Sequence, residues 1–475
     1  MIERAGGPIS EVAAAVASGA TTARSMVELA LDRIERLDPD LGAVVALRAD
    51  EAIREASSLD AQIASGGKPG TLAGVPVLVK DMEDVAGMRT THGSLLFAES
   101  PAAALDGLIP DRLRAAGAII VGKTNLPEFA TEGFTDNRLF GPTRNPWGRD
   151  WSPGGSSGGS AVAVSAGLVP IATATDGGGS IRIPAALCGL VGLKPTAGVI
   201  GRWPPHDWMD LSTCGPFATT VADLRLLLSV ESGPVDGDPS ALPAGSRLAD
   251  RSPRGRVFAA LRTSDLGPLP GGLAATFRDA VSAFADLLET EIEWLEAGRI
   301  FVGTDPDLDW WVLATAEHVA SLGRRRVVDG LEHMHPATRA FLSAGLEIGI
   351  DEYLAARRRR FDHIRRLDEL LAGSGLLLTP TVALEGWTPE GHLPDAIDGG
   401  MLPPSAYSTA LQNVTGHPAI TLPAGRSANG VPFGLQVTAP RYADGLLLDV
   451  AERWEAAHPW PTVAPGYLPF LPSLA

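Results

Sequence analysis

The sequence predicts an α/β layer protein whose central sheet is mostly buried and flanked by helices, and three observations lead there. Short apolar runs of strand length alternate with longer segments of helical periodicity along most of the chain. Of the 475 residues, 45% are hydrophobic and 20% charged, an ordinary globular balance with ample length for a large core. Apolar elements resume promptly around the two Pro- and Gly-rich stretches, Gly233 to Gly245 and Glu385 to Pro404, so these read as surface loops rather than interdomain linkers.

The first seventy residues read as helices. Ser10 is placed to cap a helix over Glu11 to Ser18, with Gly19 as its stop. After Thr22, the apolar positions Val27, Ala30, Leu31 and Ile34 recur at helical spacing, and Ala52, Ile53, Ala56, Leu59 and Ile63 form a further stripe. The pattern then changes. Val75 to Val79, interrupted only by Pro76, and Ala118 to Val121 read as buried strands. Val169 to Ala174, Val257 to Leu261, Leu376 to Leu378, Ala419 to Leu422 and Leu435 to Val437 continue the series. Helical stretches near Phe277 to Leu288, Trp310 to Leu322, Tyr353 to Leu371 and Leu446 to Trp454 lie between. Continuous apolar runs of this kind belong to strands covered on both faces.

Bulk properties narrow the function. A net charge of −17 argues against nucleic acid as a partner, which calls for a basic stripe. The two cysteines, Cys188 and Cys214, exclude a disulfide framework and lack metal-ligand spacing. Met1 to Ser10 shows no basic segment followed by an apolar one, and no window approaches the roughly 18 uncharged apolar residues of a membrane span. The expectation is a cytoplasmic protein without a membrane partner.

The chemistry concentrates between Trp151 and Cys188. Two Gly/Ser loops, Gly154 to Gly159 and Gly177 to Ser180, flank an Ala/Val helix and an apolar strand. Glycines let a backbone approach a ligand closely, and a run of N–H groups beside a hydroxyl is what oxyanion stabilisation requires. A helix opening over Ile181 to Leu187 would direct its positive end toward Ser180. The missing element is a base, and Lys80 stands at the end of the buried run Gly74 to Val79. Desolvation there lowers a lysine pKa from about 10.4, and a neutral lysine can take a proton from serine. Taken by itself the pattern describes only a serine hydrolase, and Lys80 alone reads more readily as a solvated charge at a strand end.

Other motifs carry weaker readings. Gly117 to Thr124 (GAIIVGKT) satisfies P-loop spacing, yet its intervening residues are themselves strand-like. Ser156 and Ser157 each centre a G-x-S-x-G match, but Trp151 to Pro153 is no strand. His417 reads as a buried, satisfied histidine. The arginine runs Arg324 to Arg326 and Arg357 to Arg360 read as solvated helix faces. Trp203, Trp208, Trp310, Trp311 and Trp387 are candidates for an aromatic pocket or for ordinary core packing. Pro204 and Pro205 suggest a loop between the first two, near the catalytic segment.

The long spaced pattern resembles the amidase signature family. Gly154 to Gly159 is followed at that family's spacing by Asp176-Gly177-Gly178-Gly179-Ser180-Ile181-Arg182-Ile183-Pro184. The likeness extends to Leu72 to Pro76 leading into Lys80-Asp81, Gly122 to Asn125 before Glu128-Phe129, Gly192 to Thr196 and Gly215-Pro216. It resumes at Asn413 to Ile420 and Gly434 to Gln436. It thins between about Pro234 and Arg366, where substrate-shaping segments of the family differ.

The resemblance implies a large single-domain α/β/α sandwich with a mixed sheet spanning 1–475, with a signature core at about 70–220 and a variable region at about 234–366. It implies Ser180 as nucleophile, Ser156 as a proton bridge on a cis peptide, and Lys80 as base. The backbone N–H groups of Gly177, Gly178, Gly179 and Ser180 would form the oxyanion hole, with Ser157, Asp176 and Arg182 in support. Such an enzyme needs no metal or organic cofactor and cuts the C–N bond of a small amide, or of a carbamate, through an acyl-enzyme. Alternatives are the glutaminase subunit of a glutamyl-tRNA amidotransferase and a non-catalytic binding protein on the same fold. A homodimer is the base-rate expectation for assembly. Gly177 and Met82 depart from the family, many members having Thr or Ile and Asn there. The extra glycine would loosen the oxyanion loop or widen the pocket.

Overall fold

The computed structural model describes residues 7–204, 208–243, 255–263, 271–393 and 408–471. Pro205 and parts of the 233–245 and 385–404 stretches lie outside the described residues.

The strands, in chain order, are β1 Val44–Leu47, β2 Pro76–Lys80, β3 Ile119–Thr124, β4 Ile171–Ala172, β5 Thr175–Asp176, β6 Val191–Lys194 and β7 Thr213–Cys214. They continue with β8 Phe217–Ala218, β9 Val257–Ala259, β10 Ile292–Trp294, β11 Leu376–Pro380, β12 Ala419–Arg426 and β13 Pro432–Thr438. They build a mixed sheet system in an α/β architecture. Seven strands run in the order β10-β9-β11-β13-β12-β6-β8, and four in the order β1-β3-β2-β4. In the smaller sheet β2 lies parallel to both β3 and β4, with Val77 opposite Ile120 and Ile171. In the larger, β12 and β13 pair antiparallel at its centre, where every residue of β13 is buried. β5 and β7 form a separate two-stranded ladder.

The apolar runs predicted as strands fall on β2, β3, β4, β9, β11, β12 and β13. Their side chains join the helices in one large core that includes Phe217, Phe277, Phe284 and Trp454. Each such side chain contributes roughly 1.5–3 kcal/mol on burial. The four helices predicted in the second half start earlier than their apolar stripes, at Gly271, Pro306, Ile350 and Asp444. The first helix differs from expectation. It is Pro8–Ala17, capped at Gly7 with proline in the first turn, while Ser10 sits inside and donates its hydroxyl to the Gly7 carbonyl. Proline needs no N–H partner at that position and so sets the start of the helix. Thr22 does cap its helix, Ala23–Leu37, by accepting from the Ser25 N–H.

Three elements bring the candidate site together. β2 ends at Lys80, the β4–β5 segment ends at Asp176, and the helix Gly158–Ser165 begins after Ser157. That helix is buried along its whole length, and its small residues let it lie close against β2, β3 and β4 of the four-stranded sheet. A Cβ on Gly159 would come within 2.6 Å of both the carbonyl oxygen and the amide nitrogen of Asn125.

Candidate active site

All five residues of β2 are buried, and Lys80 at its end is fully enclosed. Its Nζ lies 2.8 Å from Ser156 Oγ, 3.0 Å from Ser157 Oγ and 2.9 Å from Thr175 Oγ1. Hydroxyls accept from an ammonium but can also donate to the lone pair of an amine. Among the described residues no carboxylate lies within ion-pair distance of this nitrogen. The equally enclosed Lys123, by contrast, is paired with Asp81 at 2.9 Å. Burial pushes the Lys80 pKa down to about 7, against the opposing charges of Glu83 and Asp176. Thr175 was missed by sequence reasoning, since a threonine in an apolar strand carries no distinctive signal. Met82 is drawn in too, its sulfur 3.3 Å from Thr175 Oγ1.

Ser156 follows a cis Gly155–Ser156 peptide bond. Ser157 donates its N–H to the Ser180 carbonyl at 3.3 Å, which ties the two serine loops together at the backbone. Ser180 is 8% exposed and, with Gly155 and Gly178, lines a cavity of about 660 Å³. Lys80 and Ser156 are thus in direct contact. Among the described residues no hydrogen bond joins Ser156 Oγ to Ser180 Oγ, and the Ser180 hydroxyl has no protein partner.

The loop before Ser180 is held from behind. Arg182 and Asp176, both fully buried, meet at 2.8 Å, and Arg182 also donates to Asn413 Oδ1 (2.6 Å) and Gln436 Oε1 (2.8 Å). Burial alone would raise the Asp176 pKa, but the Arg182 charge and hydrogen bonds prevail and hold it at about 2. Asp176 Oδ1 accepts the Gly179 N–H at 2.8 Å, and Gly179 takes a φ of 130° that favours glycine. The Gly179 amide is therefore committed. The N–H groups of Gly177, Gly178 and Ser180 find no acceptor among the described residues. Of the four N–H groups that the resemblance assigns to an oxyanion hole, these three are therefore the ones left without an acceptor among the described residues.

Gly177 does not add room to the pocket. A Cβ there would stand 2.1 Å from the Trp208 ring, so the indole occupies the space a threonine or isoleucine would need. Trp208, Trp310 and Trp311 line the cavity with Phe134 and Phe341, whereas Trp387 is buried in a cluster with Phe134 without lining it, and Trp203 is 53% exposed. The acidic side chains on the cavity wall, Glu132, Asp136, Asp307 and Glu390, were not singled out from sequence, and no lysine or arginine lines it among the described residues. The His335 Nδ1 accepts from the Ala337 N–H, which leaves Nε2 to face Asp136 at 3.5 Å.

Arg324 to Arg326 are exposed, as expected, but the second arginine run is not a solvated face. Arg357 and Arg360 grip Asp210, and Arg359 pairs with Asp309 at 2.5 Å. Four consecutive residues spread around the helix at about 100° steps, and here three of them meet acidic partners. His417 is buried, its Nε2 3.2 Å from Asp368. Lys123, of the P-loop-like string, is a buried clamp in β3. Among the described residues no group of three or more His, Cys, Asp or Glu side chains could hold a metal, and no helix is long and apolar enough to cross a membrane.

Serine loops converging on a buried, unpaired lysine beneath an aromatic cavity define a class of serine-dependent hydrolases. The chain belongs to the amidase signature family. The family model described as Amidase matches residues 25–448. The chain is 35% identical to an acylamidase of Rhodococcus erythropolis, with 96% of each chain covered. It is 34% identical to a glutamyl-tRNA(Gln) amidotransferase subunit of a Synechococcus strain, covering 95% of this chain and 97% of that one. Among solved structures it is similar to a bacterial aryl acylamidase of the same family, with a TM-score of 0.85 at 30% identity over 95% and 96% of the two chains. It is a hydrolase of amide carbon–nitrogen bonds.

Proposed function

We propose that Ser180 is the nucleophile, Ser156 the proton bridge and Lys80 the base. The observation that supports this most is an enclosed lysine nitrogen surrounded by hydroxyls, with no ion pair among the described residues, where burial favours the neutral amine. As Ser180 Oγ attacks the carbonyl carbon, its proton passes to Ser156 Oγ, whose own proton passes to Lys80 Nζ. The amides of Gly177, Gly178 and Ser180 stabilise the oxyanion, each donor worth about 3–4 kcal/mol in comparable sites. Lys80 returns the proton through Ser156 to the leaving nitrogen as the C–N bond breaks. Water then enters by the same relay and releases the acid from Ser180. Contacts of this kind tighten when substrate binds, which fits a Ser180 hydroxyl without a protein partner.

The substrate we propose is an uncharged or cationic amide with an apolar or aromatic group, and carbamates fit the same chemistry. Tryptophan and phenylalanine faces supply the apolar wall. The glutaminase reading is disfavoured, because the described cavity wall carries no lysine or arginine to hold the α-carboxylate of glutamine. A neutral anilide such as p-nitroacetanilide should exceed L-glutamine in kcat/KM by at least about a hundredfold, the scale of about 3 kcal/mol. Ammonia release from glutamine at an equal rate would reverse the assignment. The cytoplasm is the proposed compartment, supported by two buried cysteines that are not joined in a disulfide.

The relay also predicts a pH profile. Lys80 accepts a proton only when neutral, and its pKa is lowered to about 7. With a non-ionising substrate, kcat/KM should rise about tenfold per pH unit up to about 7 and level above it. A flat profile from about pH 5 to 8 would remove Lys80 as the base.

A further inference from the structure

We infer that Trp310, on the helix Pro306–Leu322 outside the signature core, is a positioning residue that sets the oxyanion loop by pinning the Gly177–Gly178 peptide. The inference rests on the reading of Ser180 as nucleophile and adds to it a residue that touches no reacting atom.

The indole N–H of Trp310 donates to the Gly177 carbonyl at 2.7 Å. A trans peptide carries its C=O and N–H on opposite sides, so pinning the Gly177 oxygen toward the indole turns the Gly178 N–H the other way. The next peptide is held in the same manner. Thr409 Oγ1 donates to the Gly178 carbonyl at 2.5 Å, and the Gly179 N–H on its far side meets Asp176. Three consecutive glycines have little intrinsic preference, so unheld peptides here would sample several orientations. Oxyanion stabilisation depends on donors aimed before the charge develops. A side-chain donor behind each carbonyl supplies that aim.

The surroundings fit this role. A Cβ on Gly178 would lie 2.6 Å from the Trp310 ring, so the indole packs flush on the loop it bonds. Trp208 stands T-shaped to Trp310 at 5.6 Å and covers Gly177, which couples the two tryptophans to the glycine that departs from the family pattern. The helix itself is anchored one residue earlier. Asp309 is fully buried and is held by Arg359 at 2.5 Å and by His363 Nε2 at 2.9 Å. The arginine run that the charge pattern assigns to a solvated face therefore fixes the helix that fixes the loop.

Trp310→Phe keeps an aromatic ring and removes the donor. The expected result is a fall in kcat of at least about tenfold with KM changed less than about twofold, the split that marks lost transition-state stabilisation. A trifluoromethyl ketone that adds to Ser180 as an oxyanion should lose affinity by the same factor, while the neutral acid amide bound without addition should not. Thermal unfolding of the variant checks that the fold survives. If it does not, Trp310→His, which restores a ring N–H, should recover part of kcat. A rise in KM with kcat unchanged, or equal losses for both ligands, would make Trp310 only a pocket wall and overturn the inference. Fluorophosphonate labelling separates the two levels. An unmodified chain that fails to label at Ser180 sinks the hydrolase mechanism itself, whereas normal labelling with unchanged kcat in Trp310→Phe sinks only the positioning role.

Discussion

Ser180→Ala should abolish turnover of any good amide substrate while leaving the fold intact. The substitution removes one oxygen that has no protein partner among the described residues and sits at 8% exposure on the cavity wall. No buried donor or acceptor is orphaned by its loss, so stability should change by less than about 1 kcal/mol. The activity effect is of another order. Without the nucleophile no acyl-enzyme forms, and the loss expected is at least about 10⁴-fold in kcat. Stopped-assay kinetics and mass detection of the acyl adduct measure it, with thermal unfolding as the control. Retained activity would refute Ser180. The same pair of proteins tests the non-catalytic alternative, since a binding protein on this fold would show no fluorophosphonate adduct even with Ser180 present.

Much of the site was legible in the sequence because chemistry and backbone geometry share the same residues there. Gly154 to Gly159 and Asp176 to Arg182 combine small residues with hydroxyls, whereas Lys80 alone matched a solvated charge at a strand end and gained its role only from the family resemblance. Local spacing reports such features well. It does not report what comes from far away in the chain. Thr175 holds Lys80 but is one hydroxyl among many, and Gln412, Asn413 and Gln436 reach Arg182 across more than two hundred positions. The acidic cavity wall gathers Glu132, Asp136, Asp307 and Glu390 from three separate segments, which no window could join. The same limit explains the arginine run Arg357 to Arg360. Its charge pattern matches a solvated face, and only the packing of its helix against Asp210 and Asp309 shows otherwise. Short strands were missed for a related reason, since β1 and β6 have four residues each and little alternation to detect. Gly177 shows the opposite error. Its missing side chain suggested extra room, but the space had already been given to Trp208.

Lys80→Ala should cripple both acylation and deacylation, and a companion variant separates chemistry from packing. Removing the side chain opens a cavity in a fully enclosed place and withdraws the shared partner of Ser156, Ser157 and Thr175. A large-to-small change of this kind costs about 2–5 kcal/mol, partly offset because the buried amine no longer has to be desolvated. Lost activity in Lys80→Ala alone would therefore be ambiguous. Lys80→Met keeps the aliphatic volume and deletes only the nitrogen, so its stability should lie closer to the parent. Both variants should lose about 10²–10⁴-fold in kcat, the range of general-base catalysis. Because one relay serves both half-reactions, neither variant should show a rapid first turnover followed by slow release. The acid limb near pH 7 should also vanish from any residual rate, since the group that titrates there is gone. A normal acylation burst in Lys80→Met would mean that Ser156 passes its proton elsewhere. The half-buried Glu83, which faces Lys80 electrostatically and accepts from the Thr173 hydroxyl, would then be the next carboxylate to test. Loss of both half-reactions with the fold retained would instead locate the base at Lys80 Nζ, which hydroxyls surround and no carboxylate pairs among the described residues.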